Sequence, residues 1–135
     1  MIVGIGSDLC NIERIQNSLD RWGDKFLNRV FTKTERNKAA SRPHTRAGTL
    51  AKRFAAKEAF SKALGTGIHF PVNWHNVWVE NARSGKPSLK FSRVLAALLK
   101  RRGIENVYVS LTDEIGMACA FVVVEGGTPK ARRKT

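Results

Sequence analysis

Apolar positions follow helical spacing through much of the first half of the chain and strand-like alternation through most of the second. The chain starts differently, because Ile2-Val3-Gly4-Ile5-Gly6 is a short apolar run in which glycines replace side chains. That pattern predicts a buried strand approached closely by another backbone. Ile12, Ile15 and Leu19 then recur at helical intervals while Asn11, Glu13, Arg14 and Asn17 fall on other faces, predicting an amphipathic helix over 11–19. Trp22, Phe26, Leu27, Val30 and Phe31 recur at helical intervals and predict a second helix over 22–30, and Thr32-Lys33-Thr34-Glu35 offers an N-cap for a further piece. Ser41-Arg42-Pro43-His44 breaks the pattern. A longer helix is predicted from about Gly48 to Leu64, stopped by Gly65-Thr66-Gly67.

Beyond residue 73 the period shortens. Trp74 to Glu80 reads as a strand, Ser84-Gly85-Lys86-Pro87 as a turn and Ser88 to Phe91 as the partner strand. Val94 to Arg102 is helical, and Asn106 to Thr112 and Met117 to Glu125 are strands joined through Asp113-Glu114-Ile115-Gly116. Helices early, with strands at the front and back, predict an α+β fold: a mainly antiparallel sheet with helices packed on one face.

A chain of 135 residues suits one domain, placed at residues 1–126, with 127–135 expected to form a flexible basic C-terminal tail. With 42% apolar and 26% charged residues the chain reads as globular. No apolar run approaches the roughly 20 residues of a membrane span, and the start lacks the pattern of a secretory leader, so a cytoplasmic protein is expected. Cys10 and Cys119 are far apart in apolar surroundings and read as buried small hydrophobes. His44, His69 and His75 show no metal-ligand spacing. The 24 Lys+Arg against 11 Asp+Glu give net +13, which calls for an anionic partner: nucleic acid, an acidic protein, a phosphorylated small molecule or an anionic membrane surface.

The candidate chemistry centres on Glu58, the one carboxylate among Lys52, Arg53, Lys57 and Lys62. On a helix, Leu50, Phe54, Phe60 and Leu64 share one side, while Ala51, Ala55, Glu58, Ala59 and Lys62 share another that is nearly all methyl groups. The ordinary use of Glu58 and Lys62 is an i,i+4 ion pair worth about 0.2–0.5 kcal/mol. Asp8, at the end of the glycine-broken strand, has an ordinary use as a helix N-cap. Brought together, Asp8 and Glu58 form an oxygen site suited to Mg²⁺, which takes one or two carboxylates plus substrate phosphates; the cations around Glu58 then answer those phosphates.

Gly4-Ile5-Gly6-Ser7-Asp8 with Glu13-Arg14-Ile15, the stretch from Arg53-Phe54-Ala55-Ala56-Lys57-Glu58 through Lys62 to Gly65-Thr66-Gly67-Ile68, and Gly85-Lys86-Pro87 together resemble the bacterial holo-acyl-carrier-protein synthases, a family of 4′-phosphopantetheinyl transferases. The resemblance spans roughly residues 1–125, and its long central motif is highly specific. It implies an α+β fold, typically homotrimeric, and Mg²⁺-dependent transfer of 4′-phosphopantetheine from coenzyme A to a serine of an apo acyl carrier protein. Adenosine 3′,5′-bisphosphate is released, and the reaction supports fatty acid biosynthesis. By position it implies Asp8 and Glu58 as metal ligands and, with Lys62 on the phosphates, as the catalytic set. Arg53, Lys62, Gly65, Gly85, Lys86 and Pro87 would hold coenzyme A, and Arg14 and Arg21 would dock the acidic carrier protein. Whether a carboxylate or a metal-bound water takes the serine proton stays open. One departure is Ser110-Leu111-Thr112-Asp113-Glu114, where many members carry a histidine after the Ser-Leu pair.

Two other classes fit parts of the pattern. A nucleic-acid-binding module would use the basic charge and three tryptophans to meet phosphates and stack bases, but Trp22, Trp74 and Trp78 each fall in an apolar pattern expected to be core. A metal-dependent phosphodiesterase would use the same two carboxylates with water as nucleophile. No nucleic-acid or membrane partner is expected under the transferase reading.

Overall fold

The computed structural model describes residues 1–127, so the tail expected from 127 onward lies outside the described residues from 128. The element order is β1 (Ile2–Asn11), α1 (Ile12–Trp22), α2 (Asp24–Val30), α3 (Lys33–Ala40), a 3₁₀ turn (Pro43–Thr45), α4 (Arg46–Leu64), β2 (Val77–Asn81), β3 (Pro87–Phe91), α5 (Arg93–Arg101), β4 (Ile104–Glu114) and β5 (Met117–Gly126). The strands make two antiparallel sheets, β1-β5-β4 and a β2-β3 hairpin, in place of the one sheet expected. The α+β class holds. None of the helices is long and apolar enough to cross a membrane among the described residues.

α4 is the centre of the molecule. Its alanines 51, 55, 56, 59 and 63 are buried together with Leu50, Phe60 and Leu64, and good helix formers run almost uninterrupted along it. It lies against β1 and β5 on one side and against α1, α3 and β2 on others. Gly65 ends it in the left-handed conformation, its N–H donating to the Lys62 carbonyl, as its place after the last apolar residue predicts.

The close approach anticipated at β1 is present. A Cβ built on Gly4 would lie 2.0 Å from the Ala63 carbonyl oxygen, and one on Gly6 would lie 2.1 Å from that of Ala59. Strand and helix therefore touch backbone to backbone, which only glycine on one side and alanine on the other permit. β1 is buried on that face alone. Ile5 and Leu9, pointing the other way, are 60% and 67% exposed.

Other expectations need correction. β1 runs on to Asn11, so Asp8 sits inside the strand, opposite Ala120, and Asn11 is the N-cap of α1, its Oδ1 accepting from the Glu13 N–H at 2.9 Å. The helix expected over 22–30 is interrupted by Gly23, whose φ of 53° suits glycine. Trp22 thereby becomes the last residue of α1 and is 53% exposed, outside the core. Trp74 and Trp78 are half-buried; Trp74 stacks on Phe54 with ring centroids 5.1 Å apart. Cys10 is buried, but Cys119 is only half-buried on the outward face of β5.

Candidate functional site

The Gly6–Ala59 contact brings Asp8 on β1 beside the turn of α4 that carries Glu58 and Lys62. Lys62 Nζ donates to Asp8 Oδ1 at 3.0 Å and to the Ser7 carbonyl at 3.1 Å. The expected ion pair between Glu58 and Lys62 is not among the described ion pairs, because the lysine reaches across to the strand. No side-chain donor bonds to the Glu58 carboxylate among the described residues. Partial burial raises the Glu58 pKa, the Asp8 charge raises it further, and Lys62 and Arg14 oppose both. Two oxygen donors of like charge, held close and incompletely neutralised, suit a hard divalent cation, and the donors contributed are oxygens alone.

A second group lies toward the N-terminal half of α4. Arg53 is 4% exposed; its guanidinium donates to Asn81 Oδ1 and to the Thr49 carbonyl, and its Nε is buried without a partner. Burial lowers its pKa and the Glu35 carboxylate raises it. Arg53 lines a cleft of about 170 Å³ with Lys38, Arg42, Lys52, Asn81 and Gly85. Four cations face this cleft and no carboxylate does, which makes it a receptor for anions. Gly85 shapes the β2-β3 turn with φ 96°, its N–H donating to the Ala82 carbonyl; Lys86 is exposed and Pro87 opens β3. Gly65 remains at the far end of α4.

Arg14 and Arg21 are exposed on α1 and line a shallow cleft of about 380 Å³ with Asn11, Glu13, Asn17 and Trp22. Arg21 lies over the Trp22 ring at 5.0 Å. The Arg14 charge also acts on Glu58, so α1 borders the carboxylate site.

Periodicity did not single out Lys38, Arg42 or Asn81: Asn81 accepts from Arg53 at the end of β2, and Lys38 and Arg42 share its cleft from α3 and the segment after it. Of the cations around Glu58 expected to answer phosphates, Lys57 has no exposed surface and pairs with Glu35, so it is unable to meet one, while Lys52 lines the Arg53 cleft and pairs at its edge with Asp113 at 3.2 Å.

Residues 4–118 match the model of the 4′-phosphopantetheinyl transferase superfamily. The holo-[acyl-carrier-protein] synthase of Sphingopyxis alaskensis is 56% identical over 93% of this chain and 97% of its own, and that of Erythrobacter litoralis is 57% identical over the same shares. Among solved structures, the holo-[acyl-carrier-protein] synthase from Neisseria meningitidis superimposes with a TM-score of 0.88 at 38% identity, over 93% of this chain and 99% of that one. The one from Helicobacter pylori, in complex with coenzyme A, gives 0.77 at 27% identity over 90% and 99%. The chain therefore belongs to the 4′-phosphopantetheinyl transferase superfamily, and within it to the holo-[acyl-carrier-protein] synthases. It is an enzyme, a phosphopantetheinyl transferase.

Proposed function

We propose that this protein moves 4′-phosphopantetheine from coenzyme A to a serine hydroxyl of an apo acyl carrier protein, with Mg²⁺ held by Asp8 and Glu58, in support of fatty acid biosynthesis in the cytoplasm. The observation that carries this reading is the Gly6–Ala59 backbone contact, which sets Asp8 beside Glu58 and Lys62. A cation held by these two carboxylates would supply polarisation of the phosphoryl group and offset charge on the departing oxygen. Arg53, the cations around it and the Gly85-Lys86-Pro87 turn hold the nucleotide end, and Gly65 lets the backbone come close at the other end of α4. Lys62 swings from Asp8 to the pyrophosphate, an exchange its half-exposed side chain permits. The serine hydroxyl gives its proton to a carboxylate of the site or to water, its oxygen bonds to the phosphorus bearing pantetheine, the pyrophosphate bond breaks, and adenosine 3′,5′-bisphosphate leaves with the electron pair.

Arg14 and Arg21, in a chain of net +13, dock the acidic carrier so that its serine enters beside Glu58. The outward face of the β1-β5-β4 sheet, with Ile5, Leu9, Phe121 and Tyr108 all 46–67% exposed, supports assembly of copies into the homotrimer expected of the family.

The test is the intact mass of an apo acyl carrier protein incubated with this protein, coenzyme A and Mg²⁺, with and without chelator. A gain of one phosphopantetheine that chelator abolishes is expected. Free phosphopantetheine with an unmodified carrier would mean hydrolysis and would overturn the proposal.

A further inference from the structure

Lys57, one residue before Glu58, is entirely buried, and its ammonium has three acceptors: Glu35 Oε1 at 2.6 Å, the Val30 carbonyl at 2.7 Å and the Trp74 carbonyl at 2.6 Å. These three acceptors match the three donors of an ammonium and fix its position. Glu35 is equally committed. Its Oε1 accepts from the Thr32 N–H and hydroxyl in the capping box of α3, and its Oε2 accepts from the Val79 N–H on β2 at 3.0 Å. One ion pair thus ties together the end of α2, the start of α3, α4, the loop at Trp74 and β2.

Buried ion pairs are weak sources of net stability, because desolvation offsets their attraction. What they provide is definition of position. The α4–β1 contact on the other side of the helix is glycine against alanine backbone, which permits close approach, and Lys62 bridges it to Asp8 and Ser7 only from a half-exposed position, so the buried polar anchor of α4 lies on the Lys57 side. A carboxylate about 6 Å from the helix axis moves about 1 Å for every 10° of rotation, and 1 Å of misplacement costs on the order of 10² in rate.

We infer that Lys57, clamped by Glu35, is a positioning residue that sets the rotation of α4 and so aims Glu58 at the cation it shares with Asp8. This rests on the metal role proposed for Glu58. The test compares wild type, Lys57→Met and Glu35→Asp, the last keeping both charges while drawing the anchor back by one methylene. Folding is checked by circular dichroism, Mn²⁺ affinity by electron paramagnetic resonance without coenzyme A, and kcat and KM by carrier-protein mass.

Per folded molecule, the variants are expected to bind Mn²⁺ at least about tenfold more weakly and to lose at least about tenfold in kcat, with KM for coenzyme A within about threefold. Glu35→Asp carries the comparison if Lys57→Met does not fold. Folded variants with wild-type Mn²⁺ affinity and kcat, only melting earlier, would overturn the inference and leave the pair a structural one. If wild type itself neither binds Mn²⁺ nor shows metal-dependent transfer, the proposed function fails first.

Discussion

Replacing Gly6 by Ala tests the contact on which the site depends. The added methyl would lie 2.1 Å from the Ala59 carbonyl oxygen and 2.7 Å from the Ala63 nitrogen, both backbone atoms of a buried helix that have no rotamer to escape into. Ordinary contact begins near 3.4 Å, so β1 has to retreat from α4 by more than about 1 Å. Overpacking of this kind costs about 1–3 kcal/mol, a fall of roughly 4–12 °C in melting temperature for a chain of this size. Asp8 is two residues further along the same strand and moves with it, so transfer should drop on the order of 10² even where the protein remains folded. Gly48→Ala is the matched control: it also lies in α4, but its new methyl meets only Asp113 Oδ2 and Ile12 Cδ1, each at 3.8 Å. That variant should keep its activity and gain about 0.5–1 kcal/mol. The assays are thermal melting and initial rates of carrier modification. A Gly6→Ala protein with wild-type melting and turnover would refute the backbone contact and the siting of Asp8 built on it.

Other outcomes follow from the same geometry. Glu58→Gln removes a charge that no described side chain hydrogen-bonds, so transfer should collapse and half-saturating Mg²⁺ rise while melting temperature stays level or increases; unchanged Mg²⁺ dependence would refute the ligand role. The raised pKa of Glu58 fixes a sign. Between the free value near 4.3 and its native value, the metal-free folded protein binds more protons than the unfolded chain, so Glu58 subtracts stability as pH rises through that window. Glu58→Gln should lack this loss in melts recorded from pH 4 to 8, and in wild type Mg²⁺ binding should weaken as pH falls through the same window. Asp8→Asn breaks a half-exposed ion pair with Lys62 and should cost no more than about 1 kcal/mol, yet abolish transfer, as carrier mass will show. Arg53→Met removes the buried centre of the cation-lined cleft, and KM for coenzyme A should rise at least about tenfold with a smaller change in kcat.

Much of this molecule is local in origin. Ile12, Ile15 and Leu19 announce α1, Gly65 stops α4, and Val77 to Phe91 carries its own turn, because these features depend on neighbours within a few residues. Even the approach of α4 to β1 could be anticipated, since two glycines in an apolar run and a stripe of alanines each invite a backbone. Asp8 and Glu58 were singled out by residue type and family resemblance, with no local signal that they meet.

The fates of Lys57 and Lys62 show where such legibility stops. Both lie on α4 within one motif, yet one is sealed against Glu35 and two carbonyls while the other lies half-exposed on Asp8. A cation is buried only where enough acceptors converge on it, and those around Lys57 come from 17 to 27 residues away in sequence. The division of the strands into two sheets, the exposure of Trp22 beyond Gly23 and the gathering of Lys38 and Arg42 around Arg53 are likewise set by how distant segments pack. Spacing along the chain decides which way a side chain points; only the packed elements decide what it meets there, and in this protein that separates the lysine sealed against Glu35 from the lysine half-exposed on Asp8.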